Sequence, residues 1–348
     1  MAPSEKDTAG VGLEEKVAAL RRPETYPHRP LEVEAVETHM AWVFLAGTEA
    51  YKLKKPVRYD FLDFSTLEDR RRDCRDEVRL NRRLAPDVYR GVRALRRTPE
   101  GDLVLDGEGE GRVVEWLVHM RRLPRERMLD ARIRGEGVSN EEVEKVVKRL
   151  VRFYRTVPRI PREADEYRES FRREVRECRR ELERAPADLS PHRPAGLASE
   201  LLDFLVEGGS LLDGRIREDR IVEGHGDLRP EHICLEPEPV IIDCLEFNFE
   251  FRVIDPADEL SFLSVECARL GDEELGDAFL HGYRRLSGDA PSSELLAFYK
   301  AFRAFLRAKI AIWHTRDDAI RDHHGKWIER TRTYLELAGD HLPSVRAE

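Results

Sequence analysis

Two polar clusters, separated by a short apolar run, hold the residues best able to do chemistry. The first is His225-Gly226-Asp227-Leu228-Arg229-Pro230-Glu231-His232; the second is Asp243, which closes the run Val240 to Ile242. Carboxylates and imidazoles at the ends of short buried strands are costly unless paired, hydrogen-bonded or metal-bound. Phosphoryl transfer uses this layout: one Asp takes or orients the proton of an attacking hydroxyl, and a side chain five positions on and a second Asp on the next strand hold magnesium. Here those positions are Asp227, His232 and Asp243. A lone Asp ordinarily caps a turn, but the whole constellation at this spacing points to chemistry.

The elements that must position these residues fall into two stretches. Residues 12–21 read as a short helix and Pro23 to Pro30 as a loop. Strand-like runs follow at Leu31 to Glu37, Trp42 to Ala46 and Ala50 to Lys54, with a turn at Gly47-Thr48-Glu49. Lys55 to Phe64 is loop-like, and Ser65 with Glu68 forms a capping box for a helix reaching about Leu84. Further strands are expected at Val92 to Leu95, Leu103 to Leu105 and Val113 to His119, the last two separated by Gly107 to Gly111. After Pro124 the periodicity turns helical, with helices expected at 139–156, 164–184, 197–217, 257–269, 272–286, 292–315 and 318–338, broken at Pro186 to Pro194. Only 221–247 interrupts them, with the short strands that carry the motif. A small sheet followed by a large helical stretch is an α+β architecture.

Composition narrows the function classes. The 348 residues suit two domains or one two-lobed domain; 41% are hydrophobic and 37% charged, with a formal net charge of -9. That balance argues against nucleic acid as the main partner. The five scattered cysteines lack zinc-ligand spacing and do not form a disulfide framework, which predicts reduced thiols. The start MAPSEKDTAG lacks a signal-peptide pattern, and no apolar run nears the ~20 residues of a membrane helix. A cytoplasmic protein with no membrane partner is expected.

Other residues have two readings each. Lys52 and Lys54 share one strand face, opposite Tyr51 and Leu53. Cys74, Glu77, Asn81 and Leu84 form one helical stripe, so Glu77 lies among apolar neighbours and needs a cation such as Lys52. No G-x-G-x-x-G and no Walker A motif is present; Thr38 and backbone amides of the Glu37 to Met40 turn are the candidates for covering phosphates, given a wide loop. Arg303 and Arg307 sit among aromatics on one helix. They suit an anion clamp for the acceptor or, more simply, partners for carboxylates on a neighbouring helix. Asp255 reads as an N-cap with Pro256 at N1, and Asp258 as a brace for the catalytic loop. The mixed charges from Arg168 to Arg184 read as a solvated, salt-bridged face.

The motif H-G-D-L-x-x-x-(N/H), then an apolar strand ending in Asp, resembles the catalytic and metal-binding loops of the aminoglycoside phosphotransferase-like kinases. Tyr51-Lys52-Leu53-Lys54-Lys55-Pro56 and Phe61-Leu62-Asp63-Phe64-Ser65-Thr66-Leu67 resemble its uncharacterised bacterial branch, and the likeness runs from about Pro30 to Ile310. It implies a protein-kinase-like two-lobed fold, with a small antiparallel-sheet N-lobe over 1–120 and a large helical C-lobe over 121–348. It implies ATP, Mg²⁺ and transfer of the γ-phosphoryl group to a hydroxyl of a small molecule: a sugar, amino sugar, aminoglycoside or amino alcohol. By the same likeness Asp227 is the catalytic base, with His225 in the same loop, and Asp243 is the principal metal ligand. His232 replaces the family's metal-binding Asn and either ligates a second metal or only hydrogen-bonds the loop. Lys52 is favoured for the phosphates, with Lys54 as the alternative and Glu77 holding it. Glu115-Trp116-Leu117, ending a strand just before the helical lobe, takes the hinge position, where backbone groups read adenine. Two rival readings are a metal-dependent hydrolase built on His225, Asp227, His232, Asp243 and Asp255, and a non-catalytic nucleotide-binding pseudokinase. A nucleotidyl transferase on the same fold is a third.

Overall fold

A computed structural model describes residues 10–59, 62–106, 111–185, 188–316 and 324–342. Phe61, Gly107 to Glu110, Pro186, most of the opening decapeptide and residues 318–323 of the last expected helix lie outside the described residues. The chain divides into two compact units. The first holds the described residues up to Arg127 together with Val240–Glu250; the second holds Met128–Pro239 and the chain from Phe251 onward.

The first unit is built on α1 (Leu13–Leu20), β1 (Val33–Glu37), β2 (Ala41–Ala46), β3 (Glu49–Lys54), β4 (Arg58–Tyr59), β5 (Leu62–Asp63), α2 (Leu67–Asn81), β6 (Tyr89–Arg97), β7 (Leu103–Asp106) and β8 (Arg112–Arg121). Six strands form one antiparallel sheet in the order β1-β2-β3-β8-β6-β7. The expected alternation on β3 holds: Tyr51 and Leu53 enter a core with Leu20, Phe44, Leu95 and Leu117. Burying each large apolar side chain there contributes roughly 1.5–3 kcal/mol. The opposite face of β3 presents Lys52 and Lys54.

Three local expectations shift. The stretch Lys55 to Phe64, expected as loop, contains the antiparallel β4–β5 pair. Helix α2 is capped by Thr66, which accepts from the Asp69 amide at 3.1 Å, while the Ser65 hydroxyl donates to Asp63. The capping signal is therefore correct in kind but one residue early. Strand β8 runs to Arg121, so Glu115, Trp116 and Leu117 lie inside it and do not end it. Leu117 pairs with Leu53 on one side and Arg93 on the other.

The second unit contains α3 (Leu129–Arg134), α4 (Asn140–Thr156), α5 (Ala164–Glu183), α6 (Pro194–Glu207), α7 (Gly209–Arg217), α8 (Pro256–Arg269), α9 (Glu273–Ser287), α10 (Ser293–Trp313) and α11 (His324–His341). The helix expected at 197–217 is two, α6 and α7, meeting at Gly208. Helix α5 buries one stripe, Tyr167, Phe171, Val175, Cys178 and Leu182, and its other faces carry ion pairs such as Arg179–Glu183. Helix α10 packs against α8, α11 and α5. Between α7 and α8, the short strands Val222–Glu223 and Val253–Ile254 pair antiparallel and flank the His225 loop. All five cysteines are buried, with no disulfide between them. Among the described residues, no helix is long and apolar enough to cross a membrane.

Candidate active site

In the first unit the chemistry-bearing groups converge on Lys52. Its ammonium donates to Glu77 Oε1 at 3.0 Å and to Asp243 Oδ1 at 2.7 Å. Burial disfavours the charged form of Lys52, but Asp243, Glu77 and Glu246 outweigh it and hold its pKa well above the ordinary lysine value. Glu77 is fully buried on α2, as its stripe requires, and Asn81 one turn on accepts from the Cys244 amide at 2.8 Å. That bond ties the Asp243 segment to α2. Asp243 itself has φ +62°, a conformation that costs a non-glycine residue energy unless its surroundings enforce it. Its amide donates to the Tyr89 hydroxyl at 3.1 Å. The Asp243 side chain is 41% exposed, against 17% for Lys52.

Lys54 occupies a different environment on the same strand face. It is 1% exposed, with its ammonium 2.6 Å from Glu77 Oε2, 2.5 Å from Asp73 Oδ2 and in a short contact with Glu246. The two lysines therefore divide the two oxygens of Glu77. Lys52 is the accessible one, and Lys54 is enclosed. Glu246 and Asp73 escape the sequence reading. The available signal is the second carboxylate three residues after Asp243.

The side chains at the other expected nucleotide contacts have partners within the first unit. The Thr38 hydroxyl donates to the Ala41 carbonyl and accepts from the Ala41 amide, closing a three-residue turn between β1 and β2. The wide loop expected there is absent because this side chain locks it. Glu115 is 1% exposed and takes Lys16 at 3.0 Å and Arg70 at 2.9 Å. Trp116 lies under the Arg71 guanidinium, 4.8 Å from its ring centroid, and Leu117 is core.

In the second unit the His225 loop is clamped from below. Glu259 of α8 accepts from the His225 amide at 2.9 Å and the Gly226 amide at 2.5 Å, and from the Tyr154 hydroxyl at 2.7 Å. Burial raises the Glu259 pKa. Close approach requires Gly224: a Cβ there would lie 2.5 Å from Ile254 Cγ2. Gly226 has φ +87°, which glycine adopts at no steric cost. The brace expected of Asp258 thus belongs to its neighbour Glu259. Asp258 faces the other way and binds Arg303 in a fork, both contacts 2.6 Å. On a fully buried helix start, which neighbour faces the loop is a matter of rotation about the helix axis, and sequence does not set it.

Asp227 is held by Arg229, whose guanidinium lies 3.1 Å from Oδ2. The Asp227 amide donates to His225 Nδ1 at 3.3 Å. His232 bonds within the loop: Nδ1 bonds the Asp227 carbonyl and Nε2 faces Arg229, both at 2.9 Å. This is the geometry of the hydrogen-bonding alternative for His232. Arg307 lies 3.1 Å from Glu266, so both arginines of α10 serve carboxylates on α8, the simpler of their two readings. Burial pushes Glu266 up, but Arg307, Arg269 and Arg229 more than offset it and hold its pKa at about 2. Arg269 reaches Glu231 of the loop at 2.8 Å. Asp255 caps α8 through the Ala257 amide, as expected, and is fully buried against Arg215 at 2.6 Å. Among the described residues, the groups spaced to hold a metal together are Asp73, Glu77 and Glu246, a set that contains none of His225, Asp227, His232, Asp243 and Asp255.

An oxygen donor that is partly exposed, as Asp243 is, suits Mg²⁺. No family model matches the chain. It is 35% identical over 287 residues to uncharacterised proteins of Mycobacterium bovis and Mycobacterium tuberculosis. The match covers 80% of this chain and 54% of each relative, so the chain spans about half the length of these curated relatives. Among solved structures, it is similar to a choline/ethanolamine kinase family protein of Mesorhizobium loti: TM-score 0.50, 14% identity, 93% of this chain and 98% of the other. It is also similar to choline kinase of Cryptosporidium parvum: TM-score 0.52, 10% identity, 94% of each chain. The chain therefore has the protein-kinase-like fold of these solved structures, with a small antiparallel-sheet lobe and a large helical lobe.

Proposed function

We propose that this protein is an ATP-dependent phosphotransferase that moves the γ-phosphoryl group to a hydroxyl of a small molecule, of sugar, amino-sugar, aminoglycoside or amino-alcohol type. One observation carries the reading: the Lys52 ammonium is shared between a helix glutamate and an Asp just past a short strand, at 3.0 and 2.7 Å. Phosphoryl transfer calls for such a lysine on the nucleotide phosphates and such a carboxylate on the metal. The names of the solved fold relatives, choline kinase and choline/ethanolamine kinase, support a small hydroxyl acceptor.

Mg²⁺, when bound, would neutralise phosphate charge, with Asp243 as its protein ligand. Lys52 exchanges part of its carboxylate contacts for phosphate oxygens. Asp227 orients the acceptor hydroxyl and takes its proton, and Arg229 fixes the carboxylate's direction. Glu259 holds the loop amides so that Asp227 needs little reorganisation. Positioning and charge supply most of the rate.

A thermal-shift series with ATP, GTP and ADP, each with and without Mg²⁺, tests the first requirement, because a ligand of the native state raises the midpoint by mass action. A Mg²⁺-dependent rise is expected, followed by ADP release with a hydroxyl acceptor. No shift at millimolar nucleotide would refute the reading. Binding without turnover across a broad acceptor panel would favour the pseudokinase, and released pyrophosphate a nucleotidyl transferase.

A further inference from the structure

Six buried or half-buried charges meet in the first unit: the ammonium groups of Lys52 and Lys54 and the carboxylates of Asp73, Glu77, Asp243 and Glu246. Negative charge is in excess. Burial raises the Glu246 pKa, Lys54 and Lys52 lower it, and Asp73 and Asp243 raise it further, so this carboxylate lies within the field of both lysines. Asp73, Glu77 and Glu246 offer oxygens within 4.8 Å of one another, the spacing of a cation cage, and the Lys54 ammonium contacts all three. Asp73 and Glu246 also line a cavity of about 380 Å³ with Arg58, Tyr59 and Phe247, so the cage borders open space.

The cage bears directly on Lys52. Without a second cation, Glu246 and both oxygens of Glu77 would turn to Lys52. A lysine surrounded by carboxylates binds phosphate poorly, because each phosphate oxygen must displace a bonded anion. We propose that Lys54 is a positioning residue: by holding Asp73, Glu246 and one oxygen of Glu77, it leaves Lys52 free to take nucleotide phosphates. The inference rests on the phosphotransferase reading for Lys52, but not for the cage.

The experiment uses the full chain and two readouts. Lys54→Met should weaken binding of a non-hydrolysable Mg·ATP analogue about tenfold, a loss of ~1.4 kcal/mol. Adding Glu246→Gln removes the carboxylate left over and should restore most of that affinity. A role in mere packing would give no such rescue. The second readout needs no nucleotide. With its ammonium gone, the three-carboxylate cage should bind one Mn²⁺ more than the unsubstituted chain, counted by electron paramagnetic resonance, and Mg²⁺ should raise the variant's melting temperature. If Lys54→Met folds only when Mg²⁺ or Ca²⁺ is present, that is the same result. Lys54→Gln serves as the milder variant. Unchanged analogue affinity in Lys54→Met would overturn the proposal. So would affinity that the second substitution fails to restore, or cation indifference of both Lys54 variants. If the unsubstituted chain binds no nucleotide, the phosphotransferase reading fails, and the Mn²⁺ count still decides the role of Lys54 in the cage.

Discussion

The two units handle buried charge differently. In the first, two ammonium groups are shared among four carboxylates, and Glu77 serves both lysines at once. In the second, guanidiniums fork onto carboxylates: Arg215 onto Asp255 and Asp289, Arg303 onto Asp258. An ammonium is a compact point charge on a flexible stem, and its contacts can be redistributed when an anion arrives. A guanidinium fork fixes two oxygens in a plane. The lysine cluster is thus suited to exchanging partners, and the arginine forks to holding their own carboxylates in place. Negative excess around the lysines suits a divalent cation; planar forks around the arginines suit rigidity.

Substitutions can break this contrast. The largest effect is expected from Arg215→Ala, which strands Asp255 and Asp289, both almost wholly buried. Loss of one partner from a buried pair costs roughly 3–5 kcal/mol, visible as a lower denaturant midpoint. A midpoint that did not move would mean that these pairs do not hold the second unit together. Next comes Asp227→Asn, for which turnover should fall roughly a hundredfold or more while nucleotide affinity stays put. Full turnover in that variant would remove Asp227 from its role.

Asp243→Ala should do the reverse. The Mg²⁺-dependent part of nucleotide affinity should drop ~10-fold or more, by analogy with losses at metal ligand shells. Equal affinity with and without Mg²⁺ in the parent chain would count against the assignment. The last prediction is confined to the acid range and concerns Glu266. Its folded pKa of about 2 lies below the 4.5 of an unperturbed Glu, so its ionised form favours the folded state. That contribution is complete above about pH 4.5 and is lost as pH falls toward 2. Glu266→Gln should flatten the acid limb of a melting-temperature profile; an unaltered limb would assign it to other groups.

Much of the site is legible in the sequence. Asp227 lies in a loop of the second unit and Asp243 two residues past the strand Val240–Ile241 in the first, and a period of two on β3 with the α2 stripe predicts the Lys52–Glu77 pair. Alternation cannot separate Lys52 from Lys54, because both point to the same face; their different enclosure comes from Glu246 and Asp73, which lie far from each other in sequence. Glu259 is missed for its neighbour Asp258 because α8 is buried all round at its start, so no amphipathic pattern marks its facing side. The strand through Glu115 reads as ending early because its apolar run gives way to His119, a residue that is itself buried against Glu49 at 2.7 Å.

The sequence by itself determined the α+β class, the order of sheet and helices, and the residue types that can do phosphoryl chemistry. Local periodicity and hydrogen-bonding capacity suffice for those, since they act over a few neighbouring residues. Only the tertiary structure decided that Val240–Glu250 joins the first unit, that His232 bonds within its own loop, and that Arg303 and Arg307 face α8 carboxylates. Those outcomes depend on which distant charge arrives within hydrogen-bonding reach of which, and in a chain with 37% charged residues many pairings are compatible with one pattern. Packing selects among them, because a buried charge without its partner is too costly to keep.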